Sequence, residues 1–136
     1  MANFVYKKAK EAMLSGDVDL VSNNLKLLLV NSSYAPNQNT DNFVSNINSS
    51  HIKARSPIFS GVTTSSGVLD ADDVVMSNYP GDAFNAVVIY QDSGSDQTSI
   101  LIAYIDTSEG LPFSGVNTNT NITIAWSNTL NKILSL

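Results

Sequence analysis

One stretch constrains the fold more than any other. Residues 85–106 read NAVVIYQDSGSDQTSILIAYID, in which two apolar runs flank the polar segment QDSGSDQT. Successive side chains of a β-strand point to opposite faces, and both runs are apolar at odd and even positions alike. Two such runs joined by a short Gly-containing segment indicate a hairpin. The sequence therefore predicts a hairpin in the middle of a β-body, covered on both faces, with its tip in solvent.

The polar segment has two interpretations. As a turn, Asp92 would accept a hydrogen bond from the turn backbone, and Gly94 would adopt a positive φ. Alternatively, Asp92 and Asp96 would hold a metal ion or take part in a reaction. We favour the turn, and contact with a neighbouring subunit is its only further candidate role.

The rest of the chain repeats this pattern of short apolar runs. Ser, Thr and Asn, which favour turns and caps, make up about a third of the residues. We expect about eight strands, which is typical of a single-domain antiparallel β-sandwich or barrel. The expected strands are residues 25–30, one or two within 51–64, then 74–76, 83–90, 99–106, 122–126 and an apolar edge strand at the C-terminal end. Residues 65–67 read as a tight turn with Gly67 at positive φ.

One N-terminal helix is predicted over residues 4–15, with Asn3 as its N-cap and Gly16 closing its end. A short helical turn over residues 42–47 is expected to be capped by Asp41. We therefore predict one domain over residues 1–136, in which residues 1–16 form the helix or arm and residues 17–136 the β-body. The apolar face of the helix comprises Val5, Ala9, Ala12 and Met13.

Composition and charge exclude several classes of function. The chain has 136 residues, no cysteine and a net charge of −5. Disulfides and thiolate chemistry are excluded, and neither nucleic acid nor an anionic membrane is an expected partner. No apolar run is long enough to span a bilayer, and the N-terminal residues do not have the pattern of a signal peptide.

Enzymatic chemistry is not predicted. His51 is the only histidine and lies in the polar run NSSHIKAR, where an exposed histidine is expected. Asp72 and Asp73 are adjacent, so on a strand their side chains would point to opposite faces and would not share a substrate. A small hydrolase using His51 as a general base is the weakest hypothesis.

A calcium site is the minority alternative to the absence of any cofactor. Eight of the twelve acidic residues lie between Asp70 and Glu109, and no Lys or Arg occurs between Arg55 and Lys132. Calcium prefers several oxygen ligands from flexible loops, which DADD (residues 70–73) and DSGSD (residues 92–96) would supply. Neither segment fits the EF-hand pattern.

Several segments together carry a resemblance to a known group of proteins. LDADDVVM, AVVIYQDSGSDQTSILIAYID and ITIAWSNTLNKILSL, with the N-terminal LKLLLVNSSYAPNQNTDNFVSNI, resemble small structural proteins of tailed bacteriophages. The chain departs from their pattern at Gln91, where lysine is common, at residues 99–100, where Ser-Pro is common, and at Met76, near an expected Trp.

The resemblance implies a non-enzymatic virion component, and a capsid decoration (cement) protein is favoured. Such a protein would bind the major capsid protein on the head exterior, associate with itself as a trimer, and be assembled in the host cytoplasm. A tail-associated or head-to-tail protein is an alternative. A receptor- or glycan-binding module is another, with Tyr34, Tyr79 and Phe113 as its loop aromatics. The candidate partner contacts are Lys7, Lys8, Lys10, Tyr34, Asp92, Asp96, Ile133 and Leu136.

Overall fold

The computed structural model describes residues 3–107, 111–115 and 119–126, together with the backbone of Leu134 and Ser135. Within these residues the protein is mainly β with one N-terminal helix, which confirms the predicted fold class. The elements in chain order are β1 (Phe4–Val5), α1 (Lys7–Ser15), β2 (Leu25–Val30), β3 (Ile52–Arg55), β4 (Thr63–Ser65), β5 (Val68–Asp70), β6 (Val74–Tyr79), β7 (Ala86–Gln91), β8 (Ile100–Ile105), β9 (Thr120–Ile124) and β10 (Leu134–Ser135).

The strands form three antiparallel sheets. The largest has five strands in the order β1-β8-β7-β2-β3, and the others have the orders β10-β5-β4 and β6-β9. The predicted hairpin is β7–β8, and β7 is the middle strand of the large sheet. The central position of the hairpin is therefore confirmed. How the sheets close on one another as a sandwich or barrel stays a prediction.

The core lies on both faces of the large sheet. Leu27, Leu28, Leu29 and Val30 of β2 all have no solvent exposure, as do Val88 and Ile89 of β7. Because neighbouring residues of a strand point to opposite faces, this burial requires cover on both sides. A buried side chain of this size contributes about 2 kcal/mol to folding, so these strands hold much of the stability.

The N-terminal helix is shorter than predicted. α1 begins at Lys7, and Tyr6 precedes it in an extended conformation. Phe4 and Val5 instead form β1, paired with Tyr104 and Ala103 of β8. Ala9 and Ala12 of α1 are buried, so the N-terminal segment packs into the same core.

Asn3 does not cap the helix. Its Oδ1 accepts hydrogen bonds from the backbone N–H groups of Asp106 and Thr107, both at 2.9 Å. These contacts hold the residues that precede α1 beside the end of β8. Those residues are therefore extended and not helical. The predicted end of the helix at Gly16 is confirmed. Gly16 has a φ of 81°, and its N–H donates to the carbonyl of Met13 at 3.3 Å.

The predicted cap at Asp41 is also wrong. The helical turn is a single 3-10 turn at Val44–Asn46. Asp41 Oδ2 instead accepts hydrogen bonds from the Tyr34 hydroxyl and from the backbone N–H of Asn37. The Asn46 side chain takes the capping role by accepting from the N–H of Phe43 at 2.9 Å. A second 3-10 turn spans Ser49–His51.

The two smaller sheets contain one strand that was not predicted, β5, and several strands whose bounds differ from the prediction. The turn between β4 and β5 has Ser66 at φ 52° and Gly67 at φ 78°, which confirms the tight turn. β6 runs on to Tyr79, past the predicted end at Met76, because a bulge with Asn78 at φ 55° lets it pair with β9 again. β9 ends at Ile124, two residues before its predicted end. Within the described ranges, no helix is long and apolar enough to cross a membrane.

Candidate functional site: interaction surfaces

The tip of the β7–β8 hairpin has the predicted turn chemistry. Asp92 Oδ1 accepts a hydrogen bond from the N–H of Gly94 at 3.0 Å, and Gly94 has a φ of 92°. Asp92 also has a contact that the sequence does not suggest, because Lys26 Nζ of β2 lies 3.0 Å from its Oδ2. The tip is therefore attached to the neighbouring strand as well as turned by its own residues.

Asp96 fixes the other side of the tip. Arg55 at the end of β3 donates two hydrogen bonds to the two carboxylate oxygens of Asp96, both at 2.7 Å. The arrangement is the bidentate guanidinium–carboxylate geometry, which is stronger and more directional than a simple ion pair. The backbone adds a bond, since the N–H of Ser45 donates to the Asp96 carbonyl at 3.0 Å. The hairpin tip is thus tied to two separate parts of the chain.

These contacts set the charge state of the tip. The hydrogen bond from Arg55 holds the pKa of Asp96 below its usual value. The pKa of Asp92 is lowered chiefly by the hydrogen bond from Lys26, with help from the N–H of Gly94. Both carboxylates are therefore ionised at neutral pH and already paired with cations of the chain.

Neither acidic segment forms a cluster that would hold a metal. Across residues 3–107, 111–115 and 119–126, no three His, Cys, Asp or Glu side chains come together as a candidate metal site. In the DADD segment, Asp72 Oδ2 accepts from the Ser60 hydroxyl at 3.1 Å, and Asp73 Oδ1 accepts from the backbone N–H of Trp126 at 3.3 Å. Both carboxylates thus make local structural bonds.

Tyr34 is buried, contrary to its expected role as a partner contact. Only 7% of its surface is exposed. Its hydroxyl lies 2.8 Å from that of Tyr6 and donates to Asp41 Oδ2 at 2.8 Å. Burial is the main cause that raises the pKa of Tyr34 and of Tyr6. The side chain anchors its loop to the core because its ring also packs edge-on against Tyr104.

The other two loop aromatics, Tyr79 and Phe113, pack against neighbouring rings. Tyr79 is buried and its hydroxyl donates to the carbonyl of Asp82. Phe113 is half-buried and stacks on Phe84, with ring centroids 4.8 Å apart. The half-buried Trp126 packs against Phe59 at 5.5 Å. The glycan-binding hypothesis needed a cluster of exposed aromatics, and these rings pack on each other instead.

His51 closes the second 3-10 turn and is half-buried. Its backbone carbonyl accepts a hydrogen bond from the N–H of Asn31 at 3.0 Å. Among the described residues, no serine hydroxyl or carboxylate is hydrogen-bonded to the imidazole, so the pairing that a hydrolase would need is not formed there.

The outward face of α1 carries the predicted basic residues. It also carries an exposed leucine, Leu14, which the sequence analysis missed. Lys7 and Lys10 are exposed, and Leu14 follows on the same stripe with 91% of its surface exposed. Lys8 is partly covered and its Nζ lies 3.5 Å from Glu11 Oε1. Within the described part of the chain, Lys7 and Lys10 make no ion pair. Helical spacing from the buried Ala9 and Ala12 would have placed Leu14 outside.

The last two predicted partner contacts, Ile133 and Leu136, flank the C-terminal strand β10. Ile133 and Leu136 lie outside the described residues. Between them, β10 pairs with β5 at the edge of the three-stranded sheet. β1 likewise pairs with β8 of its own chain. β1 and β10 are therefore edge strands, each paired on one side within the protein.

Comparisons with known proteins give no relative. No family model matches the chain, and a search of curated proteins finds no match.

Proposed function

We propose that this chain is a non-enzymatic virion structural protein of a tailed bacteriophage, and most specifically a capsid decoration (cement) protein. It would bind the major capsid protein on the head exterior and stabilise the head. The proposal rests on the motif resemblance and on where those motifs lie in the fold, since no matched relative supports it.

The observation that carries the proposal is the position of two segments that share the resemblance. AVVIYQ and ILIAYI are β7 and β8, adjacent strands in the large sheet. The DSGSD segment between them is tied to β2 and β3 by two ion pairs. The resemblance thus falls on the segments that form the scaffold, as expected when proteins share a fold and vary at their surfaces.

The scaffold also suits a protein that works by adhesion. Among the described residues, no buried side-chain nitrogen or oxygen lacks a hydrogen-bond partner. A rigid body loses little conformational entropy on binding, so weak contacts are used efficiently. Many identical weak contacts on a capsid then add up, because valency multiplies modest affinities.

The proposal is tested by binding to heads. Purified protein is mixed with expanded heads of the parent phage that lack it, and the pellet is analysed after sedimentation. We expect saturable binding at many copies per head and a higher temperature of head disruption. Unexpanded proheads serve as the matched control, and they bind less if the site forms on expansion. No binding to expanded heads would contradict the proposal.

The number of copies per particle distinguishes the decoration role from the tail or head-to-tail alternative. A tail or connector protein is present at few copies per particle, whereas a cement protein approaches the number of major capsid subunits. No feature of the described surfaces favours the tail location.

A further inference from the structure

The two ends of the large sheet differ in how they are covered. At one end the chain covers the edge of β8 itself, because β1 pairs with Ala103 and Tyr104, and the backbones of Asn42 and Val44 bond to the start of the same strand at 3.0 Å. At the other end lies β3, and within the described residues no strand pairs with its outer side. This outer side of Ile52–Arg55 is here called the open edge.

An open edge exposes this particular sheet to association between chains. Strands β2, β7 and β8 read LKLLLV, AVVIYQ and ILIAYI. Apolar segments of this length without Pro or Gly are typical of strands that stack between chains. An edge strand offers its unpaired N–H and C=O groups to another chain. A groove beside the open edge, lined by Arg55 and Pro57 on one side and by Asn78 and Pro80 on the other, leaves room for such an approach.

A β-bulge interrupts the open edge at Lys53. Ile52 and Ala54 pair with Val30 and Leu29, which are neighbours in β2, so Lys53 is an extra residue without a partner opposite. A bulge bends the strand and breaks the regular row of backbone donors and acceptors. A second strand therefore cannot follow the open edge in register past this point.

A second irregularity follows at Pro57. The N–H of Ser56 donates to the carbonyl of Leu27 at 2.9 Å, and the N–H of Phe59 donates to the carbonyl of Leu25 at 2.8 Å. Three steps along this segment thus match two steps along β2. Pro57 lies within the irregular part and has no N–H to donate to an added strand. Only a short regular stretch remains between the two irregularities.

The charge on the open edge also opposes pairing. Lys53 is half-buried, and among the described residues it makes no ion pair. Two copies related by a twofold axis would place β3 beside β3, because such a contact uses the same surface twice. The two Lys53 side chains would then lie on adjacent strands, where like charges destabilise the pairing.

We propose that Lys53 with its bulge, together with Pro57, keeps the open edge from pairing with the open edge of a second copy of this chain. The sheet thus keeps an apolar interior without extending from one molecule to the next, and contacts with partners are left to other surfaces. The inference does not depend on the proposed capsid role.

A double substitution tests this inference. Lys53→Val/Pro57→Thr removes the charge and restores a backbone N–H. In sedimentation velocity the variant should self-associate at a roughly tenfold lower protein concentration than wild type, which is about the effect of one regained backbone hydrogen bond. A variant that associates no more than wild type would overturn the inference.

Hydrogen exchange locates the contact. The N–H of Ser56 points towards β2, and backbone groups alternate along a strand, so the N–H of Arg55 points to the open side. It should exchange rapidly in wild type at every concentration and slowly in the associated variant. Protection of this amide in concentrated wild type would overturn the inference, because the open edge would then be in use. This measurement on wild type needs no variant and so does not depend on how a substitution affects folding.

Two controls separate edge pairing from general stickiness. Lys8→Val/Pro36→Thr makes the same two substitutions in α1 and in the loop after β2, and it should associate like wild type. Lys53→Glu keeps a charge on the bulge and should also associate like wild type. Association of either control as strong as that of Lys53→Val/Pro57→Thr would overturn the inference. Binding to heads plays no part in these measurements, so their outcome is independent of the decoration role.

Discussion

At the scale of residues, the two aspartates of the hairpin tip link pH to stability. Asp92 and Asp96 have lowered pKa values because Lys26 and Arg55 donate to their ionised forms. The pKa of such a carboxyl in the unfolded chain is about 4. When its pKa is lower in the folded state, the group stabilises the fold at every pH above that unfolded value. That stabilisation is lost as the pH falls through the folded pKa.

The first prediction concerns this acid dependence. The free energy of unfolding, measured with urea at a series of pH values, should fall below about pH 4. In Asp92→Asn/Asp96→Asn the decrease should be shallower, because the variant no longer has these two groups to titrate. Gln97→Ala, which removes an exposed neutral side chain of the same tip, is the matched control and should keep the wild-type slope. Identical slopes for the tip variant and wild type would contradict this account.

A second residue-scale prediction concerns the buried tyrosine pair. Tyr34→Phe removes the hydroxyl that lies between the Tyr6 hydroxyl and Asp41. We expect a loss of about 1–2 kcal/mol, because the buried Tyr6 hydroxyl then loses its partner. Urea unfolding measures the loss. Tyr6→Phe combined with Tyr34→Phe should cost less than the sum of the two single changes, and strict additivity would argue against a direct bond.

At the scale of elements, the hairpin turn depends on backbone conformation. Gly94 has a φ of 92°, and a Cβ added there would meet no atom within 4 Å. Gly94→Ala should therefore cost about 1 kcal/mol through backbone strain alone. Ser95→Ala in the same turn is the control and should change the free energy of unfolding by less than about 0.5 kcal/mol. Equal effects of the two changes in urea unfolding would show that the turn does not require its glycine.

The elements that could be predicted from the sequence are those whose pattern depends on residues close to one another along the chain. The apolar runs of β2, β7 and β8 and the turns at Gly67 and Gly94 follow from side chains close in sequence. The start of α1 could not be predicted in this way, because Asn3 bonds to residues more than a hundred positions away. The Arg55–Asp96 pair spans 41 positions and could not be predicted from the sequence for the same reason. Tyr34 was placed outside because a Pro-containing polar loop gives no sign that its tyrosine turns inward.

At the scale of the whole molecule, the core and the exposed side of α1 should respond differently to the same truncation. Leu28 has no exposure and Leu14 has 91%. Leu28→Ala should lower the free energy of unfolding by about 2–5 kcal/mol, through lost burial and a cavity. Leu14→Ala should change it by less than about 0.5 kcal/mol. A large loss from Leu14→Ala in urea unfolding would mean that Leu14 packs into the fold, which would contradict its exposure.

The molecule as a whole combines a β-body, in which every described buried side-chain nitrogen and oxygen has a hydrogen-bond partner, with an exposed stripe on α1. In the proposed decoration role, many copies of this body would bind one particle at once, so that modest contacts add up.

The most direct test of the central claim is the copy number of this chain in purified virions. Quantitative mass spectrometry with labelled reference peptides gives its ratio to the major capsid protein. The decoration role predicts a ratio near one copy per capsid subunit. A count of only a few copies per particle, or absence from the virion, would contradict it.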